Sequence, residues 1–303
     1  MDNKEKKTVY FKRSKYRSED FTENDLPLTR GSQYFDIFKH EWKTLLLIGV
    51  VLFLFSLLYL AVDFFHWFIA RNLPDQLLSQ GSTEEEIYAA LQFTEMMYEV
   101  ALVIATLILM IPLAGISRVF KRMIHGEGLL FRADFLEGIK MNIIHFLILG
   151  FIYAFLRFSV QFVYIFVENV PYLAEITRGI TMGVMYGLFF PIIIFMFAQD
   201  SIYKMNLWTN FKNSYQLTIR SILVMLLFSF IIFGVYFMRY IQNIILKESL
   251  YTILIIGFAP YYLLAISSFT MSRFDKFINQ EYYPEIYRKG LRPYVDTHQT
   301  NNL

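Results

Sequence analysis

The sequence predicts an all-α polytopic membrane protein with six transmembrane helices, and three observations carry the prediction. Hydrophobic residues make up 56% of the chain and charged ones 18%, below the ~25% charged typical of soluble domains. The apolar residues gather in six runs, each near the ~20 residues that cross a bilayer as a helix. The 32 Phe and 21 Tyr lie mostly in those runs or beside them, as lipid-facing surfaces with aromatic borders require. The mean hydropathy of +0.41 agrees.

Residues 1–33 read as a disordered basic tail with too few apolar side chains to form a core. No cleavable signal peptide is expected there. Tyr34, Phe38 and Trp42 then recur at helical spacing, which predicts a short amphipathic helix on the membrane surface. The membrane domain is placed at 34–272, with spans at about 44–70, 98–117, 143–167, 180–199, 221–238 and 250–271. Between the first two lies an acidic insert, 71–95. In it Ser82 and Glu85 have capping-box spacing, so the second helix should start outside the bilayer and run unbroken into it. Residues 273–303 form the second tail.

Orientation follows from the cations. Of the 28 Lys and Arg, only Arg71, Arg178, Arg239 and Lys247 fall in the loops of one face. The positive-inside rule therefore places both termini in the cytoplasm and the insert outside the plasma membrane. A net charge of +2 gives no reason to expect a nucleic-acid partner. The chain has no cysteine, so disulfides and thiolate metal sites are excluded.

A repeat is visible. Phe35, Phe135 and Phe211 each lead a polar-apolar stretch into an odd-numbered span, and each even-numbered span holds one proline, Pro112, Pro191 or Pro260. Three helical hairpins are the simplest reading.

Small residues suggest one packing seam. Gly179, Gly183 and Gly187 share a face of the fourth span, and Gly150 with Ala154 offers a matching face on the third. Close backbone approach is favoured at such faces in a bilayer, so a seam between the third and fourth spans is expected, with a homodimer contact as the alternative. Polar residues suggest a site. Asp63 and His66 on the first span, Arg157 and Gln161 on the third and Arg239 on the fifth fall in the outer half of the membrane. They read either as a shallow outer pocket or as interfacial anchors with Asp63–Arg157 or Asp63–Arg239 as structural pairs. The five scattered histidines form no metal-ligand or catalytic motif, so no enzyme, cofactor or metal is expected. Lys121 and Arg122 on one loop, with Arg288, Lys289 and Arg292 in the tail, suit anionic headgroups or an acidic partner.

The segment 112–142 resembles the YesL-like family of bacterial membrane proteins. The residues concerned are Pro112, Ala114 and Gly115, the basic run Arg118, Lys121 and Arg122, the turn Gly126-Glu127-Gly128, and Phe131 and Phe135. The likeness extends loosely over 34–273, apart from the insert and the long basic N-terminus. It implies a non-enzymatic accessory or regulatory component beside a solute-uptake system, since family members look to be often encoded near carbohydrate uptake and degradation genes. The partners are then the lipid bilayer, a membrane transport complex and a further copy of the chain. A transporter or channel in its own right is the competing expectation.

Overall fold

The computed structural model describes residues 25–167, 171–203 and 205–293, and among these every regular element is helical. In chain order they are α1 (Arg30–His40), α2 (Trp42–Ser79), α3 (Glu84–His125), α4 (Phe131–Val167), α5 (Pro171–Val184), α6 (Phe190–Asp200), α7 (Leu207–Arg220), α8 (Ile222–Tyr236), α9 (Ile244–Ile253), α10 (Ala259–Phe274) and α11 (Gln280–Tyr282). A π-helical turn, Met185–Phe189, joins α5 to α6; a second, Leu254–Phe258, joins α9 to α10; a third, Asp275–Asn279, joins α10 to α11. Five helices are long and apolar enough to cross a membrane, and a sixth span is obtained if the bent pair α7–α8 counts as one. The chain is an all-α polytopic membrane protein. Large apolar side chains on its flanks, such as Leu223 and Phe230, are exposed, as a lipid-facing surface demands.

The insert is a helical hairpin. α2 runs on past position 70 to Ser79, through Pro74, so residues 71–79 belong to the first span's helix. At 38 and 42 residues α2 and α3 are about 57 and 63 Å long at 1.5 Å per residue, well beyond a ~30 Å hydrocarbon core. Their connection is compressed into four residues. Gly81, at φ +81°, closes α2 while Ser82 N–H reaches back to Leu77 O at 3.1 Å. Thr83 and Glu86 form the capping box of α3, one residue later than expected, because Ser82 is engaged in closing α2.

The repeat holds in part. α1 meets α2 at Glu41 (φ −108°, ψ 18°) and α7 meets α8 at Ser221 (φ −129°, ψ 16°), the same non-helical break before a span. α7 and α8 cross at 97°, so α7 lies across the bundle end, tied to α6 by Asn210 and Ser214. The second unit differs, since Phe135 sits inside the unbroken α4. Pro191 and Pro260 each follow a π-turn at the same offset, in MYGLFFP and LIIGFAP. Proline lacks an N–H and its ring collides with the carbonyl four residues back, and a wider turn absorbs that conflict. At Pro260 the carbonyl concerned is Ile256 O. Gly49 of α2 packs on it so closely that a Cβ there would stand 2.1 Å from the oxygen.

The close seam lies between α3 and α4. A Cβ on Gly138 would meet Gly115 O at 2.9 Å and Ala114 O at 3.0 Å, and one on Gly150 would meet Met110 Cγ at 2.3 Å. Ala154 is buried. This corrects the expected seam between the third and fourth spans. Gly150 packs on α3, whereas Gly179 and Gly183 have nothing within 4 Å and Gly187 meets only Leu226. The three glycines instead line a 600 Å³ groove shared with α8.

Both tail segments are structured where described, which corrects the limits at 33 and 273. Arg30 is buried and bonded to Asp275 at 2.8 Å, and its Nη1 also donates to Lys289 O at 2.9 Å. Arg30 and Gln33 both donate to Ile124 O, covering a carbonyl that the end of α3 leaves free. Gly290, at φ +83°, fits against the same end, where a Cβ would stand 2.4 Å from Ile124 O. Residues 25–33 and 284–293 thus form a clasp over the end of α3.

Candidate functional site

Two sites stand out, a polar cluster toward the α2–α3 hairpin and an apolar chamber toward the clasp. The cluster starts from Asp63, which is buried on α2. Its partner is Lys247 of α9, at 2.5 Å, and Tyr98 O–H donates to its other oxygen at 2.9 Å. Beside Tyr98 on α3, buried Glu99 takes Arg157 of α4 at 2.8 Å, and Arg157 also donates to Tyr59 O–H at 3.3 Å. His66 stacks on Tyr98 with ring centroids 4.1 Å apart and reaches Glu95 at 2.9 Å. Four elements, α2, α3, α4 and α9, therefore meet through charge.

This corrects the expected Asp63–Arg157 pair. Each of those residues has its own opposite partner, and both partners, Lys247 and Glu99, were missed. Gln161 is half-buried on α4. The side chain of Arg239 lies outside the described residues. Charges removed from water need neutralisation and hydrogen bonds to survive, and the arrangement supplies both. The Glu248 carboxyl adjoins Asp63, with both oxygens buried. Such paired charges can hold helices in register.

The chamber has a volume of 410 Å³ and draws its walls from every span. Leu52 and Ser56 of α2, Leu113 and Phe120 of α3, Phe146 and Tyr153 of α4, Phe190 and Ile194 of α6, Ile232 of α8, and Leu263 and Ile266 of α10 face it. Ile255, in the second π-turn, completes the wall beside the Gly49 contact. The size falls within the ~300–1,000 Å³ of small-molecule sites, and a mostly apolar lining with few polar groups is their usual character. Apart from Ser56, Tyr153 and Tyr262, its polar groups gather at the clasp end, where Lys121, Ser117, Ser201, Ser267 and Thr270 line it. Lys121 Nζ donates to Ser201 O, at the end of α6, at 3.4 Å. Nothing in the spacing of the sequence marks this chamber, since it arises from six helices failing to close on one another.

Outside the chamber the clasp carries its own charges. Lys289 reaches Glu127 at 2.7 Å. Burial alone would raise the Glu127 carboxyl, but Lys289, His125 and Arg122 together hold it below the usual value of 4.5. A depressed carboxyl contributes stability above its unfolded value and loses it as pH falls through the folded one. The clasp is therefore expected to loosen on acidification below about pH 4.5. Hydrogen exchange at residues 284–293 should accelerate there, and Glu127→Gln should reduce that pH dependence, the remainder coming from His125, which burial pushes down to about 4.

Among the described residues no three of His, Asp and Glu are grouped to hold a metal ion. Fold and sites together define a class, a polytopic helical membrane protein with a charge-pinned rim and an apolar inner chamber. No known family, curated protein or solved structure matches the chain.

Proposed function

We propose that this chain is a non-enzymatic accessory component of the plasma membrane that takes an apolar ligand from the bilayer and works beside a solute-uptake system. The chamber carries the reading. Its walls are mostly apolar, with Ser56, Tyr153 and Tyr262 the polar exceptions outside the basic end, which suits a lipid-derived ligand and offers a polar solute few hydrogen bonds in transit. The charges near the opposite end pair with one another, which supports a structural role for them. The link to uptake rests on the YesL-like residues around Pro112 and the basic run after it. Extraction in mild detergent should recover the chain with subunits of a transport complex, and liposomes containing it alone should accumulate no sugar. Sugar accumulation by the chain alone would replace this reading with that of a transporter.

Both termini are taken to be cytoplasmic, from the positive-inside bias. Because cysteine is absent, single substitutions report topology cleanly. Ser79→Cys should react with an impermeant thiol reagent in intact cells, and Ser32→Cys and Thr209→Cys only after lysis. Asn210, though in the same loop, is buried and is a poor probe. Reaction of position 209 from outside would invert the topology.

A further inference from the structure

We propose that the chamber binds a single-chain amphiphile with a carboxylate head, its hydrocarbon tail along α3 and its head on Lys121. The proposal rests on the reading of the chamber as a bilayer-fed site and adds the chemistry of its occupant. Shape comes first. The lining runs along α3 from Leu109 to Ile124, about 22 Å at 1.5 Å per residue. Spread over that length, 410 Å³ makes a slender space, fitted to one extended chain and too narrow for the two tails of a phospholipid.

Charge decides the head. Three cations near the clasp end are ion-paired, Arg118 with Glu137 at 2.7 Å, Arg122 with Asp134 at 3.1 Å and Lys289 with Glu127 at 2.7 Å, while Arg273 and Lys276 lie over the Phe269 and Phe277 rings and do not line the chamber. Among the described residues Lys121 makes no ion pair; its contact is the Ser201 carbonyl. An ammonium has three donors, so two remain for a ligand. It also lines the chamber, whereas the paired cations do not. The hydroxyls at this end cannot assist an anion. Ser117, Ser201, Ser267 and Thr270 each already donate to a carbonyl three or four residues back. A single positive charge with no other free donor matches a singly charged head whose oxygens accept two hydrogen bonds. A carboxylate meets that description, and a doubly charged phosphate monoester would be left half neutralised.

The ligand would be reached from the leaflet on the clasp side. There the head sits near the membrane surface while the tail points toward the bilayer midplane, as it does in the leaflet itself. Little reorientation is needed on entry.

The test uses the purified full-length protein in a neutral detergent, with tritiated palmitate and hexadecanol as probes. The two share a tail and differ in the head. Wild type should bind palmitate at least about tenfold more tightly, the ratio expected when a charge-assisted hydrogen bond is made or lost. Lys121→Met should retain hexadecanol binding and lose the preference; Lys121→Arg should keep it. Ala198→Phe, which fills the chamber, should abolish binding of both without lowering the thermal midpoint. Dipalmitoyl phosphatidic acid should not compete. Equal binding of the two probes by wild type, or a preference that survives Lys121→Met, overturns the headgroup assignment while leaving the bilayer-fed chamber standing. Competition by the phosphatidic acid overturns the single-chain assignment. Wild type that binds neither probe overturns both readings. The wild-type comparison needs no variant, so a misfolded Lys121→Met protein does not rescue the proposal.

Discussion

Gly49→Ala is expected to be among the most damaging single substitutions in the protein. The added methyl would stand 2.1 Å from Ile256 O, 2.9 Å from its carbonyl carbon and 3.0 Å from its Cα. All three atoms are backbone, so no side-chain rotation relieves the clash. Either α2 moves away or the π-turn is forced to rewind, and Pro260 stands against rewinding because an α-turn would drive its ring onto that same carbonyl. Overpacking of a tight contact costs about 1–3 kcal/mol, and a backbone clash lies at the upper end of that range. The measurement is the thermal midpoint of the detergent-solubilised protein together with its amount in the membrane. Gly183→Ala is the control, since a Cβ there meets nothing within 4 Å, and it should match wild type. Equal behaviour of the two variants would mean that α2 does not touch the π-turn as described.

The second large effect is expected at Lys247. Lys247→Met removes the one cation bonded to Asp63 among the described residues and leaves that carboxyl buried beside Glu248. Breaking a buried pair from one side typically costs about 3–5 kcal/mol, because the remaining charge has lost its compensation. Changing Asp63→Leu together with Lys247→Met should recover most of that loss, as replacing both members by apolar groups often does. Arg157→Met should behave like Lys247→Met through Glu99, and its loss should not be repaired by Asp63→Leu. Repair by Asp63→Leu would restore the pairing of Asp63 with Arg157.

Much of the fold is legible in the sequence because hydrophobic length is a one-dimensional property. Runs of apolar residues, the breaks near Glu41 and Ser221 and the even-span prolines can all be read along the chain. What escapes is anything decided between helices. Asp63 and Arg157 stand out as charges in apolar runs, and their depth makes neutralisation necessary at ~2.5–3.5 kcal/mol per charge on insertion scales. Pairing them with each other was the economical inference. Glu99 sits just inside its span and Lys247 just before one, so neither stands out as a charge within an apolar run. A demand for one opposite charge per buried charge would have found them. The glycine face of the fourth span shows the converse failure. Spacing puts Gly179, Gly183 and Gly187 on one side of a helix, but whether that side meets a neighbour depends on where α4 goes, and α4 goes to α3. The chamber is invisible for a related reason, since a void belongs to no residue.

The clasp bears on how the protein is made. Arg30 is among the first described residues to leave the ribosome, and Asp275 follows 245 residues later. At the ~5–20 residues per second of synthesis, the guanidinium waits for at least about 12 seconds before its counter-charge exists. Until then the chamber lacks the α10 part of its wall, and Arg30 and Gln33, which can already reach Ile124 O, have none of their contacts to Asp275, Lys289 and Gly290 to hold them there. Completion of the last helix and closure of the first segment are thus one event. A polypeptide stopped short of Asp275 would present an open, unlatched bundle to the proteases that patrol the membrane, and only a finished chain would be able to hide from them.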